Sequence, residues 1–244
     1  MSIELIIALT SGVLAIFATG ISVLGTGRMA QVLARQERRY KAEQEENKYR
    51  EPLVRAAYDL QSRLYNILKQ NFVGTFMIAG TQRDKDYAIA NTVFVIGQYF
   101  AWTEITRTEI RFINLGADKQ TRRLSHLLDE IYRLWGSDNK EYGRQFRIFA
   151  GEQRAIGEAF VDKSERGLTC IGYGEFLATV MPRGNSLVHA LTADIRALPD
   201  NLVEAQPRLV AIQHALIDLL KLLDPKGLRF PKKNLTKVSL KSAD

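Results

Sequence analysis

The side chains able to do chemistry are few and scattered. His126 precedes Asp129 and Glu130 by three and four residues, and His214 precedes Asp218 by four. Each spacing sets an imidazole beside a carboxylate on adjacent turns of a helix. A di-metal helical bundle needs Glu-x-x-His pairs with further inward carboxylates. No such pair occurs, so both groups read as surface hydrogen bonds and no metal ligand is assigned. Cys170 is the sole cysteine and cannot close an intramolecular disulfide. With no base identifiable beside it, it reads as a small buried apolar residue. The phosphate-loop, zincin, nucleophile-elbow and CxxC signatures are missing. Gly172-Tyr173-Gly174 lacks a third glycine and follows no strand pattern, which makes it a turn. No catalytic residue and no cofactor is therefore assigned.

The densest polar group is "WTEITRTEIRF", Trp102 to Phe112, where Glu104 reaches Arg107 at i+3. In "FAGEQRAIGEAF", Gln153 shares a face with Phe149, Ile156 and Phe160. If the helices carrying these segments pack together, Asn91, Gln98, Glu104, Arg107 and Gln153 line a polar pocket. The competing reading is a network that fixes helix register.

The elements that must position these residues are helices. Leu53, Ala57, Leu60, Leu64 and Ile67 recur every three or four residues, with Arg55, Asp59 and Arg63 beside them. A second helix is expected near Tyr87–Ile113, and a third carries Leu124, Leu127, Leu128, Ile131 and Leu134. A fourth carries Phe146, Phe149, Ile156 and Phe160, and shorter pieces follow "DKSERG". Pro207 is expected to start the last helix, with Leu209, Ile212, Leu216, Leu219 and Leu223 as its stripe. No stretch alternates convincingly at period two. The expected fold class is all-α: a transmembrane helix at 1–27, a charged helical stalk at 28–50, a bundle of about six to seven helices at 51–224, and a flexible basic tail at 225–244. Tyr87 to Thr103 is free of charge for 17 residues, which suits either the central helix of a bundle or a second span.

The anchor is the clearest physical signal. Leu5 to Gly27 holds no charge over 23 residues, long enough to cross a hydrocarbon core of about 30 Å. The segment before it lacks the basic residues of an export signal. Arg28, Arg35, Arg38 and Arg39 crowd its C-terminal flank, so the positive-inside rule puts the N-terminus outside and the domain in the cytoplasm. Small residues on neighbouring lines, Ala8 with Gly12 and Ser11 with Ala15 and Thr19, offer a face for a homo-oligomer.

Charge partitions in the same direction. The formal +7 divides into −1 for residues 1–27, +3 for 28–50, zero for 51–224 and +5 for 225–244. A balanced domain argues against nucleic-acid binding, which leaves only the tail as a weaker route to it. Lys232, Lys233, Lys237 and Lys241 suit anionic lipid or an acidic protein.

"REPLVRAAYDLQSRLYNIL", "NTVFVIGQYFAWTEI", "FAGEQRAIGEAF" and "LVAIQHALIDLL" resemble a family of uncharacterised bacterial single-span membrane proteins. The resemblance implies an all-helical cytoplasmic domain at the inner membrane, and no assigned activity comes with it. The expected function is a membrane-tethered interaction module, with an enzyme or small-ligand receptor using the polar pocket as the alternative.

Overall fold

The computed structural model describes residues 31–38, 40, 44, 48–109, 118–164 and 167–239. The chain divides into two units, Met1–Asn47 and Lys48–Asp244. In the first, residues 31–38 are helical and exposed, Val32, Leu33, Arg35 and Arg38 included. The expected anchor, Arg28 and Arg39 lie outside the described residues, as do 110–117 between the second and third helices and Lys241 in the tail. Among the described residues, no helix is long and apolar enough to cross a membrane.

The second unit is mostly helical. In α1, residues 48–69, the stripe Leu53, Ala57, Leu60, Leu64 and Ile67 is at most 3% exposed. The chain then turns through Asn71 at φ +50, a left-handed conformation that asparagine tolerates, into a π-helical turn, Val73–Ile78. Helix α2, Gln82–Glu109, starts five residues before the expected position. Thr81 and Asp84 supply the start signal: the Asp84 carboxylate accepts from Thr81 N, and Thr81 Oγ1 accepts from Asp84 N. This reciprocal pair satisfies two donors that the helix itself leaves open.

Within α2, Ala88, Val93, Ile96, Tyr99, Ala101 and Ile105 are all nearly inaccessible. At about 100° per residue these positions go right round the helix. Helix α4, Ala150–Ala159, helix α7, Ser186–Arg196, the π-helical turn and the segment Gly167–Cys170 all touch it. The uncharged run is therefore the central helix of the domain.

Helix α3, Asp118–Gly136, is one-faced and lies on α8, Leu198–Leu223, and on α4. The expected fourth helix is shorter than its pattern: α4 is Ala150–Ala159, and Phe146 and Phe149 precede it. Phe146 is buried at φ +56, while Phe149 caps the helix and is 50% exposed. Their spacing imitates a helix, but the loop that carries them is shaped by a buried arginine described below. Gly157 brings α4 against α2 so closely that a Cβ there would lie 2.9 Å from the Phe100 carbonyl.

The all-α expectation needs one local correction. After α4, β1, Val161–Ser164, pairs antiparallel with β2, Gly167–Cys170. Strands of four residues are too short to register as alternation in the sequence. The hairpin returns Ile171 to Phe160, whose carbonyl accepts its N–H at 2.9 Å. Next come α5, Tyr173–Glu175, a second π-helical turn, Phe176–Val180, and α6, Met181–Arg183. Helix α7, Ser186–Arg196, is capped by Asn185 Oδ1, which accepts from Leu187 N and Val188 N.

Helix α8 spans Leu198–Leu223, so Pro199, not Pro207, stands in its first turn. Pro207 lies inside the helix, and the bond it cannot donate would fall on the carbonyl of Val203. Val203 is 83% exposed, which leaves that carbonyl to water. The stripe Leu209 to Leu223 is at most 1% exposed, as its spacing requires.

Residues 225–239 form a docked strap. Asp224 accepts from Leu228 N, Arg229 N and Phe230 N. Burial by itself would raise the Asp224 carboxyl, and these three donors with Arg229 outweigh it and pull the group below its ordinary range. Arg229 pairs with Glu51, and Phe230 lies flat on Tyr58 at 3.9 Å between ring centroids. Leu235 and Val238 are buried. Gln213 reads the strap backbone twice, donating to Thr236 O and accepting from Val238 N.

Candidate functional site

The five residues expected to form one polar pocket fall into three places. Asn91 and Gln98, seven residues apart, share a face of α2 and line a groove of about 350 Å³ against α1. Asp59, Ser62, Arg63 and Asn66 form its other wall. Burial raises the Asp59 carboxyl above its ordinary value, partly offset by Arg55. Glu104 and Arg107 lie further along α2 and are paired, with Arg107 Nη2 2.6 Å from Glu104 Oε2. That hydrogen bond is also what raises the Arg107 pKa. Arg154 of α4 stands 3.8 Å from the other Glu104 oxygen, so the carboxylate ties α2 to α4. Gln153 points elsewhere: its Nε2 donates to Tyr132 O and Ile148 O and holds the end of α3 to the start of α4.

The histidines separate too. His126 is 4.0 Å from Glu130 on the surface. His214 Nε2 meets Val238 O at 2.7 Å under the strap, while Asp218 is taken by Lys237. Among the described residues, no group of three or more His, Cys, Asp or Glu could hold a metal ion. Burial pushes the Cys170 thiol up to about 12, so it is protonated and unreactive at neutral pH. The expected turn at Gly172–Gly174 is instead the extended N-cap Gly172 followed by α5, which holds Tyr173 and Gly174, and strand β2 ends two residues earlier, too short to show as alternation. Of the tail lysines, Lys233 is exposed on the strap, Lys237 is paired, and Lys232 begins the short 3-10 turn Lys232–Asn234.

A cation outside the expected pocket lines the polar groove and lies close to the two tyrosines of a second one. Arg63 of α1 is half-buried, donates to Asn91 Oδ1, and lies 4.3 Å over the Phe72 ring. Burial lowers its pKa, and the hydroxyls of Tyr87 and Tyr173 offset part of that. Among the described residues it has no carboxylate partner. On one side of it is the polar α1–α2 groove. On the other, Tyr87 and Tyr173 wall a groove of about 450 Å³ whose floor is Ile89, Ala90, Leu177 and Met181. Arg83, Asp86 and Arg196 stand around this apolar floor.

Packing makes the apolar groove firm. Phe94 meets Tyr173 edge-on at 5.2 Å, and Phe160 stacks on Phe176 at 5.3 Å. A side chain at Gly97 would collide with the Phe160 ring, so glycine lets that ring lie against α2. The signal available in the sequence was the pair of tyrosines set among Arg63, Arg83 and Arg196, which distance along the chain conceals. Comparisons with family models, curated proteins and solved structures find no match.

Proposed function

We propose that this chain is a membrane-tethered helical interaction module, serving as an adaptor, scaffold or sensor. Its N-terminus lies outside a bacterial inner membrane and its domain in the cytoplasm. The uncharged Leu5–Gly27 segment and the basic residues after it support the tether and its orientation. One observation carries the interaction reading. Asn91, Glu104 and Gln153 are engaged in ties between helices, whereas large apolar side chains remain bare. Tyr87 is 51% and Leu177 44% exposed, and both line the apolar groove. Apolar surface gathered at a concave site marks a place where something else binds. The basic residues after the anchor and in the strap would add attraction to anionic lipid.

Two measurements test this. A membrane-impermeant maleimide should label Ser2→Cys in intact cells and Ser186→Cys only after lysis; the reverse pattern overturns the orientation. Full-length protein purified in a mild detergent should carry a stoichiometric protein or small molecule by mass spectrometry. A clean monomer carrying neither removes the interaction reading.

A further inference from the structure

We propose that the groove between α2, α5–α6 and α7 binds a single-chain amphiphile with a carboxylate head, taken up from water as a monomer. The proposal deepens the interaction reading by naming what this surface receives, and it stands independently of the tether. Ile89, Ala90, Leu177 and Met181 give an apolar bed. The hollow of about 450 Å³ falls within the roughly 300–1,000 Å³ of small-ligand sites.

The head is specified by charge. Arg83, Arg196 and one carboxylate, Asp86, line the groove. Asp86 Oδ1 is already accepting from Gln82, and Asp84 is held chiefly by Thr81, with Arg83 a weaker electrostatic neighbour. Neither arginine forms a salt bridge among the described residues. A guanidinium offers a planar fork that fits a carboxylate, so an anionic head completes what the rim lacks. The wall adds an independent indication. Leu177 lies in the π-helical turn Phe176–Val180, where Phe176 is fully buried while Leu177 faces outward. Such turns are rare and gather at functional sites.

The full chain in phosphatidylcholine nanodiscs, labelled with [13C-methyl]methionine, provides the test. It has four methionines; Met181 lines the groove and Met77 is buried in the first π-helical turn. Hexanoate, octanoate and decanoate are titrated, with octanamide as the uncharged control. Met181 should shift and Met77 stay. Affinity should rise about tenfold for each two methylenes, because each one buried adds roughly three- to fourfold. The double variant Arg83→Gln/Arg196→Gln, both at exposed positions, should lower octanoate affinity about tenfold and leave octanamide unchanged. Leu177→Glu should abolish the Met181 shift while Met77 keeps its position, which shows that the variant is folded. Met181 and Met77 moving together, affinity independent of chain length, or octanoate binding unchanged in the double variant would each overturn the proposal. These outcomes are separate from failure of the interaction reading, since a co-purifying protein can be present or missing in either case.

Discussion

Arg208 and Arg63 are both withdrawn from water, and neither has a carboxylate partner among the described residues. Arg208, on α8, is fully buried and donates to the carbonyls of Leu134, Trp135, Ser137, Gly143 and Gln145. The first two belong to the last turn of α3, where the helix dipole is negative, so the backbone supplies the countercharge. Arg63 reaches only Asn91 and the Tyr87 hydroxyl, with a ring beneath it, and has five N–H donors to place. Burial pulls both guanidiniums below the usual arginine range; Arg147 adds to the effect at Arg208, and tyrosine hydroxyls offset it at Arg63. Both remain charged. The difference separates two uses of a buried cation. A complete acceptor set fixes the loop between α3 and α4, whereas an incomplete one leaves capacity at the edge of a groove.

The largest expected effect breaks the complete set. Arg208→Met should cost about 3–5 kcal/mol in urea unfolding, because five buried carbonyls lose their donor at once. Arg208→Lys should recover only part of this, since an ammonium has three donors and no planar fork. A loss under about 1 kcal/mol in Arg208→Met would mean that the five contacts do not act as a set.

A smaller effect is expected at Asp224, the anionic counterpart of Arg208, which gathers three backbone donors at the root of the strap. Asp224→Ala should cost about 1–3 kcal/mol and speed amide exchange in residues 228–239. The pH dependence has a definite sign. The folded carboxyl titrates below its ordinary value of 3.8, so its stabilisation is present above 3.8 and is lost as pH falls through the folded value. Strap protection in the parent chain should therefore fall in that acid window, and Asp224→Ala should show no such step. Asp59 works in the opposite sense: its carboxyl is raised by burial, so protonation relieves a cost and contributes stability as pH falls. An identical acid profile in Asp224→Ala and the parent would show that the strap is held elsewhere, at Gln213 and the Phe230–Tyr58 stack.

Helix stripes were legible because burial of a face repeats every three or four residues whatever the partner is. Leu53 to Ile67, Leu124 to Ile131 and Leu209 to Leu223 all follow that rule. The pocket was partly legible. Asn91 and Gln98 share a face, but the six residues from Gln98 to Glu104 turn a helix by about 240° beyond a full turn, so Glu104 had to leave it. The destination of Gln153 depended on where α3 ends, which local pattern does not encode. The strap was hidden because its basic composition reads as solvated, while its anchors, Gln213, His214 and Asp224, lie in or just after α8. Arg208 did leave a trace: it stands between Ala205 and Ile212 in an apolar stripe, where a cation needs an explanation.

The smallest expected effect is the sharpest test of the comparison. If Arg63 is an open-set cation, removing its charge should hardly disturb the fold. Methionine can keep the contact with the Phe72 ring, and it relieves the cost of holding a guanidinium partly out of water. Arg63→Met should therefore change stability by less than about 1 kcal/mol in either direction. Its effect should appear in the grooves instead, where Asn91 loses its donor and the Tyr87 ring loses a polar neighbour. Faster flipping of the Tyr87 ring with an unchanged urea midpoint is the expected pairing by NMR and unfolding. A loss near that of Arg208→Met would make Arg63 a second structural tie, and the distinction between closed and open cation sites in this domain would fail.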